Sequence, residues 1–375
     1  MPNTENVDIV ICGGGCSAML LLYYLQQYPD FSKMTVLVIE KETVYDNKTW
    51  CFWHDTDHSL QHLISNTWHQ VQFADKNFSS TQAIKPYSYS SIKGKDFYDY
   101  FLNQLIPELS NVKIIKDEVC SIQKYTGGSS KVICNKGIYI GSKVYSSIID
   151  KQFYTAPIFI WQHFKGWHIK TDTDVFDRDT ITLMDFKNCS ANSCDFIYVL
   201  PYSNNEALIE FTAFSPEVWS DHEYQLKFDQ YANMHLKGIN FSIIGAEQGT
   251  IPMVDYKHSA TGSGGQILIG TAAGKIKATS GYGFEKMRAD AQILSAQFFK
   301  QPIVRQKTKN RFKFYDKLLL KVILEDPQEA VRIFGQLFNK IPFPLILKFL
   351  YEETNLYQEA LIFSKLPFPP FIKRV

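Results

Sequence analysis

The stretch that decides the fold of this chain is Val7-Asp8-Ile9-Val10-Ile11-Cys12-Gly13-Gly14-Gly15-Cys16-Ser17-Ala18. A short apolar run ends in glycines, and the apolar residues 19–25 that follow are typical of a helix. Gly13, Gly15 and Ala18 occupy the small positions of G-x-G-x-x-G/A. These positions permit a sharp turn, close approach of the backbone to a pyrophosphate and close helix packing. The stretch therefore predicts a dinucleotide-binding βα unit.

A second apolar strand is predicted at residues 35–39, and it ends in Glu40 with Lys41 beside it. An acid about 20 residues after such a glycine loop is placed to bind a ribose hydroxyl of the dinucleotide. The alternative is a glycine turn in some other βα unit. The order of strand, turn, helix, strand and acid favours the dinucleotide interpretation.

Composition limits the partners of the chain. A formal net charge of +1 and a pI of about 7.6 give no indication of a nucleic-acid partner. The 28 Phe, 21 Tyr and 6 Trp suit a large apolar ligand as well as a large core. The 7 cysteines show no C-x-x-C or Cys/His pairing, so we predict reduced thiols in a cytoplasmic protein without a metal site. No signal peptide and no spanning helix are predicted.

The order of elements predicts an α/β fold, in which a Rossmann-like domain carries an inserted β-rich domain and a helical C-terminal tail. Residues 1–155 form the first part of the nucleotide-binding domain, with a short β insertion at about 68–90. Residues 156–255 are β-rich, and residues 256–310 return to the first domain through a second glycine-rich loop. Residues 311–375 are helical and rich in Phe. This is the layout of flavoproteins that carry FAD along the first domain.

Several stretches together resemble the lycopene cyclases of carotenoid synthesis, in the bacterial β-cyclase branch. The similarity extends from residue 7 to about 300, and the Phe-rich tail also looks like that of the family. The stretches that carry the resemblance are residues 8–18, Thr49-Trp50-Cys51-Phe52-Trp53, Met184-Asp185-Phe186, residues 196–201 with residues 208–215, Gly249-Thr250-Ile251-Pro252-Met253 and residues 270–283.

The resemblance implies a lycopene β-cyclase, an intramolecular lyase (isomerase) that closes the linear ends of lycopene to β-ionone rings and forms β-carotene via γ-carotene. The reaction is redox-neutral, and FAD is required in its reduced form, with NAD(P)H as the reductant. The implied partners are lycopene or a related linear carotenoid and a membrane lipid surface, to which a cytoplasmic protein binds peripherally. The implied cofactor contacts are Gly13, Gly14, Gly15, Ala18, Glu40, Lys41, Gly270, Thr271, Gly281 and Tyr282.

The chemistry of this reaction requires a carboxylic acid that stays protonated in an apolar pocket. Glu210 follows the apolar Ala207-Leu208-Ile209 and precedes Phe211, so desolvation is expected to raise its pKa. The alternative, which strand alternation permits, is a glutamate that faces solvent. Because the resemblance favours the first interpretation, we predict that Glu210 is the catalytic acid.

Aromatic side chains near the acid would stabilise a cation through their faces. We predict substrate contacts for Trp50, Phe52, Trp53 and Phe214, with ordinary core packing as the alternative for the first three. Glu352-Glu353 superficially resembles a catalytic motif of the plant branch, and we interpret it as the end of a helix.

The apolar residues 341–350 suit either a membrane interface or a core helix on the FAD domain.

Two other functions suit the sequence. A flavin-dependent monooxygenase or prenyl-chain reductase of the same fold would consume NADPH in proportion to product. A carotenoid-binding protein without activity would bind the polyene and would be indifferent to a change at Glu210.

Overall fold

The structure is a computed structural model that describes residues 4–42, 48–300 and 309–374. Its strands are β1 (Thr4–Cys12), β2 (Val36–Glu40), β3 (Thr49–His54), β4 (Asn66–Trp68), β5 (Gln70–Ala74), β6 (Ser79–Ala83), β7 (Ser88–Lys93), β8 (Val112–Lys116), β9 (Val119–Lys124), β10 (Ser130–Cys134), β11 (Ile138–Ser146), β12 (Phe159–Thr171), β13 (Thr180–Asp185), β14 (Cys194–Ser203), β15 (Glu206–Ser215), β16 (Phe241–Val254) and β17 (Ile267–Leu268). Its α-helices are α1 (Cys16–Leu25), α2 (Gly94–Asp99), α3 (Ile106–Glu108), α4 (Asp221–His235), α5 (Phe284–Phe298), α6 (Asn310–Glu325), α7 (Pro327–Lys340), α8 (Phe343–Leu350), α9 (Leu356–Phe363) and α10 (Pro369–Ile372).

The first sheet holds the opening stretch at its centre. Its order is β8-β2-β1-β11-β10-β9, and β17 pairs with β11 at its end. The pairs β8–β2, β2–β1, β1–β11 and β11–β17 are parallel, whereas β9, β10 and β11 form an antiparallel ribbon. Helix α1 packs with α5 on one face, where Leu21 and Leu294 are buried. Parallel strands that are buried on both faces need such continuous apolar sequences, and β1 and β2 have them.

The second sheet has the order β16-β12-β15-β14-β13-β5-β6. Its two faces are covered by different elements because successive side chains alternate. Trp167, Ile209 and Phe211 pack against Tyr224 and Phe228 of α4. The opposite face is turned toward the C-terminal helices.

The structure divides the predicted β insertion at residues 68–90 between two sheets. Strands β5 and β6 extend the second sheet, because β5 pairs in parallel with β13. Strand β7 instead lies between β3 and β4 in a small antiparallel sheet. This stretch therefore contributes strands to the second sheet and to the small antiparallel sheet.

The C-terminal helices pack on the second sheet, whereas the core alternative for residues 341–350 assigned them to the first domain. Phe338 stacks on Phe73 with ring centroids 4.5 Å apart, and Ile346 and Leu347 of α8 are buried in the same core. Burial of these residues removes them from contact with lipid, so the structure does not support residues 341–350 as a membrane interface. Within the described ranges, no helix is both long enough and apolar enough to cross a membrane.

The predicted fold class is confirmed: the chain has a Rossmann-like sheet, a β-rich part and a helical C-terminal region. The predicted domain boundaries at 155, 255 and 310 stay predictions. Residues 301–308, next to the last of these boundaries, lie outside the described residues.

Candidate active site

A cavity of about 750 Å³ lies between the second sheet, strand β3, the second glycine loop (residues 270–283) and the C-terminal helices. Its wall is mostly apolar and aromatic. Phe196 and Phe214 line it from the sheet, Tyr282 from the loop, and Phe338 and Phe371 from the helices. The cavity is therefore formed where long apolar faces from distant parts of the chain meet.

Glu210 lies in the wall of this cavity. It is on β15, on the same face as Thr212, whose Oγ1 donates a hydrogen bond of 2.7 Å to Glu210 Oε1. Burial, reinforced by the negative charge of Glu247, raises the pKa of Glu210 to about 8, and the bond from Thr212 opposes this rise in part. The carboxyl group is therefore protonated at neutral pH, as a proton donor requires.

The first glycine loop ends at an uncapped helix N-terminus. Gly13 has φ of +95°, and a Cβ there would lie 2.2 Å from Ser147 Oγ, so a side chain would be excluded. Gly15 is the N-cap of α1, without a side-chain cap and with open space around its Cα. The N–H groups of the first turn of α1 therefore suit an anion. Ala18 is fully buried in the helix–sheet contact.

The acid predicted to contact the ribose lies beside this loop. Glu40 Oε2 accepts a hydrogen bond of 2.6 Å from the N–H of Gly14, and its Oε1 accepts one of 3.0 Å from the N–H of Glu42. Lys41 is exposed at the same place. Glu40 thus fixes the loop as well as being near the predicted cofactor.

The second glycine loop contacts the first. Gly270 has φ of +61°, and a Cβ there would meet Ser17 Oγ at 2.6 Å. Thr271, Gly281 and Tyr282 line the cavity. The two glycine-rich segments, more than 250 residues apart in the chain, thus meet at the start of α1.

The four predicted substrate contacts divide into two groups. Trp50 and Phe214 line the cavity, and Trp50 stacks on Phe284 with centroids 5.8 Å apart. Phe52 and Trp53 are buried in the cores and do not line the cavity. The prediction of substrate contact is therefore not supported for Phe52 and Trp53, and core packing describes them. Trp53 points to the face of β3 opposite Trp50, because adjacent strand residues alternate. Phe52 shares the face of Trp50 but packs on His58 and Phe284, with ring centroids 4.8 and 4.9 Å away.

The comparisons with known proteins agree with this geometry. The family model described as "Lycopene cyclase protein" matches residues 8–374, nearly the whole chain. The chain belongs to the lycopene cyclase protein family. No curated protein matches the chain significantly.

Solved structures show the fold that this lycopene cyclase family member shares. A geranylgeranyl bacteriochlorophyll reductase-like protein from Thermoplasma acidophilum is 16% identical, with a TM-score of 0.61 and 99% of each chain covered. A flavoprotein/dehydrogenase from Cytophaga hutchinsonii is 14% identical, with a TM-score of 0.58, 96% of this chain covered and 99% of that chain. p-Nitrophenol 4-monooxygenase from Pseudomonas putida is 16% identical, with a TM-score of 0.56, 96% of this chain covered and 98% of that chain. At these identities the likeness establishes the fold.

Sequence reasoning missed several residues of this cyclase-family site. Thr212 follows Glu210 by two positions, and strand alternation alone could have identified it. Gln162 and Ser280 line the cavity, and their Oε1 and Oγ atoms are buried without a hydrogen-bond partner among the described residues; no local pattern indicates either residue. Glu247 contacts β3 from a strand 198 positions away, so only the folded structure reveals it.

Proposed function

We propose that this chain is a lycopene β-cyclase that starts ring closure by protonating the terminal double bond of lycopene from Glu210. The observation that carries the proposal is the buried carboxyl group of Glu210, whose pKa burial raises to about 8, in the wall of an apolar cavity of about 750 Å³. Protonation of an alkene requires an acid that keeps its proton until the substrate is bound away from water. Membership of the lycopene cyclase family supports a carotenoid substrate.

The residues of the cavity suit a carbocation that must not meet water. Tyr89 Oη is hydrogen-bonded to Tyr198 Oη at 2.8 Å and to Tyr282 Oη at 2.7 Å, so these hydroxyls are engaged with one another. All three rings line the cavity. Aromatic faces stabilise a desolvated cation by about 2 kcal/mol or more. Exclusion of water leaves an internal double bond of the polyene to attack the cation and close the ring. The Glu210 carboxylate left by the first step accepts the proton that is then lost to form the β-ring.

FAD is the proposed cofactor, in its reduced form and with NAD(P)H as the reductant. The residues present fit it: open space at Gly15 leaves room for a pyrophosphate, and Gln162 and Ser280 of the cavity wall each keep a buried polar atom without a hydrogen-bond partner among the described residues. Gly13–Ala18 and Glu40 would hold the dinucleotide, and Thr271, Gly281 and Tyr282 would hold the ring. When bound, reduced FAD supplies an electron-rich ring that stabilises positive charge electrostatically.

Peripheral contact with a lipid surface is proposed at the end of the cavity formed by the C-terminal residues. Phe368 lines the cavity and yet is 56% exposed, and Ile372 nearby is 67% exposed. Lys373 adds an exposed basic charge beside them, whereas Arg374 is paired with Glu325. Apolar and basic side chains in this combination bind membrane interfaces, from which an insoluble polyene could enter.

The test is incubation of the protein with lycopene in lipid vesicles, with FAD and NADPH under anaerobic conditions. We expect products of unchanged mass with absorption at shorter wavelength, no NADPH consumption in proportion to product, and sedimentation of the protein with the vesicles. Oxygenated products in air would instead identify the monooxygenase of the same fold, and hydrogenated products the prenyl-chain reductase. Binding of lycopene without conversion would identify a carotenoid-binding protein.

Replacement of Gly270 by Ala tests the proposed cofactor site separately. The new Cβ would stand 2.6 Å from Ser17 Oγ in a left-handed backbone conformation, so it displaces the first turn of α1. We expect the dissociation constant for FAD to rise about tenfold, because the added Cβ pushes against Ser17 and disturbs the N–H groups at the start of α1 that would bind the pyrophosphate. Quenching of flavin fluorescence on titration with protein measures it.

The matched control for this variant is Gly128→Ala. Gly128 also has positive φ (+80°), but nothing lies within 4 Å of the added Cβ. It therefore carries a similar backbone penalty without contact between the loops, and we expect wild-type affinity for FAD. Equal affinities of the two variants would show that contact between the loops does not support the cofactor.

A further inference from the structure

A lateral row of residues crosses the second sheet at the candidate acid. Glu210 on β15 is paired with Gly166 on β12, and Gly166 is in turn paired with Glu247 on β16. Laterally paired residues point to the same face of a sheet, so the two carboxyl groups share a face with a glycine between them. Two strand spacings separate their backbones by roughly 9–10 Å.

The glycine in this row creates the room for the acid. A Cβ on Gly166 would lie 2.7 Å from Leu208 Cδ1 and 3.3 Å from Glu210 Cβ. Any larger residue would therefore crowd the Glu210 side chain and also fill the gap between the carboxyl groups.

Glu247 is buried and makes hydrogen bonds that suit an ionised carboxylate. Thr49 donates to it twice, from its N–H to Oε1 at 3.1 Å and from its Oγ1 to Oε2 at 2.7 Å. His168 Nε2 lies 3.2 Å from Oε2. Donors that converge on a carboxylate stabilise its charged form. Glu210, by contrast, receives one hydroxyl, from Thr212.

We propose that Glu247 is a positioning residue, which holds Thr49 and strand β3 against the cavity and places a negative charge on the face of the sheet that it shares with Glu210. The role rests on the proposed function of Glu210 as the acid. The carboxyl groups of Glu210 and Glu247 thus lie in unlike surroundings and have different roles. Glu210 gives the proton, and Glu247 acts on Glu210 without contacting the substrate. Glu247 does not line the cavity, whereas Thr49 and Trp50 of β3 do.

The other ionisable groups around Glu210 do not duplicate this effect. Burial raises the pKa values of the neighbouring tyrosines and of Cys51, so these groups are neutral over the working range of pH. The groups that surround Glu210 and Glu247 are Cys51 on β3, Tyr198 and Tyr202 on β14, His168 on β12, Tyr224 on α4, Tyr282 in the second loop, Lys48 beside Thr49, and Lys93 over the ring of Tyr202.

The test is the pH dependence of Glu210 in the Glu247→Gln variant. We expect the midpoint of the alkaline limb of kcat/KM for lycopene to fall by about one pH unit, because a charge at this distance is removed. The protonated carboxyl band of Glu210, identified by its loss in Glu210→Gln, can be titrated by infrared spectroscopy. The midpoint of that titration should fall by the same amount. This second readout does not depend on turnover. It therefore tests the role of Glu247 even if the wild type does not cyclise lycopene, a failure that would count against the proposed function alone.

Two variants separate charge from position. Glu247→Asp keeps the charge and should return the midpoint to within a few tenths of a unit of the wild-type value. Thr49→Val keeps Glu247 charged but removes a bond to it, so it should lower the rate at every pH without moving the midpoint. An infrared midpoint for Glu247→Gln equal to that of the wild type would overturn the proposal, as would an equal shift in Glu247→Asp.

Discussion

Replacement of Glu210 by Gln is expected to lower kcat for lycopene cyclisation by roughly 10²–10⁴-fold, the usual contribution of a positioned general acid. Gln has the shape of Glu and accepts the hydrogen bond from Thr212, but it has no proton of suitable acidity to give. The measurement is the rate of formation of β-rings by chromatography at saturating lycopene. A variant that retained the wild-type rate would show that the proton comes from elsewhere.

The wild-type rate should itself depend on pH with a defined sign. Because Glu210 acts in its protonated form and its pKa is raised to about 8, kcat/KM should be constant at neutral pH and fall tenfold per unit above about pH 8. An ordinary exposed glutamate would be ionised throughout this range, and activity would then fall above its usual pKa of 4.5. The position of the limb therefore distinguishes the buried acid from the solvent-facing alternative.

Glu206→Gln is the matched control. Glu206 lies on the same strand, four positions earlier at the hairpin turn, and does not line the cavity. Glu206→Gln makes the same chemical change as Glu210→Gln, and it makes it on the same strand. We expect wild-type kcat and an unchanged pH limb, and a comparable loss in this variant would point to general damage to β15.

Stability separates loss of the acid from loss of the fold. The folded protein binds the proton of Glu210 more tightly than the unfolded chain does, because its pKa is about 8 instead of 4.5. The stability linked to this group is therefore fully present below pH 4.5 and is lost as the pH rises through 8. Glu210→Gln has no such proton to lose, so at about pH 9 its Tm should equal or exceed that of the wild type. An inactive variant with unchanged or higher Tm would identify a functional loss.

Local patterns were sufficient for the start of the fold. The glycine loop, the first helix and the acid after the second strand follow one another within residues 7–40. Each of them can be predicted from residues that lie close to it in the sequence. Such a βαβ unit is decided by turn chemistry and apolar periodicity over short distances. Its prediction from the sequence therefore succeeded without knowledge of the rest of the chain.

The cavity depends on contacts that no local pattern encodes. Helices α6–α10 could be predicted as apolar from the sequence. The sheet that they cover is decided by the fold, because α4 covers one face of the second sheet and leaves its other apolar face free. For residues 341–350 the sequence therefore indicated a core helix as one alternative but not the sheet on which it packs. For the same reason Phe52 and Trp53 could not be assigned to core or cavity, since strand alternation gives two faces and does not say what lies on each.

Removal of the charge of Lys277 is expected to cost about 3–5 kcal/mol in the free energy of unfolding. The Lys277 side chain is 2% exposed, and its Nζ lies 2.7 Å from Asp316 and 3.2 Å from Glu352. Lys286 also contacts Glu352, at 2.7 Å. This cluster of two lysines and two acids joins the second glycine loop, through Lys277, to Asp316 of α6 and to Glu352 just after α8. Glu352, interpreted from the sequence as a helix terminus, is thus one of its members.

The pKa shifts of the two acids differ, and their partners explain the difference. Burial raises the pKa of Asp316, which has one lysine partner. Burial also acts on Glu352, but Lys277 and Lys286 together outweigh it and hold its pKa below the usual range. In Lys277→Met, Asp316 loses its lysine and Glu352 keeps Lys286, so the cluster is left with a net negative charge in a buried place. Urea unfolding followed by circular dichroism measures the loss.

Two comparisons decide whether this loss comes from uncompensated buried charge. Lys33→Met breaks an ion pair with Asp30 whose side chains are 76% and 67% exposed, and exposed pairs contribute little, so its midpoint should be that of the wild type.

The second comparison is the double variant. Adding Asp316→Asn to Lys277→Met removes the acid that was left unpaired and keeps the Lys286–Glu352 pair. Thr279 can still bond to the amide, as it does to the Asp316 carboxylate at 2.9 Å. The double variant should therefore recover a large part of the lost stability, because neutral groups of similar shape avoid the desolvation cost. If it is no more stable than Lys277→Met, the lysine stabilises the fold by packing on Phe312, 5.6 Å from its Nζ, and not by pairing with charge.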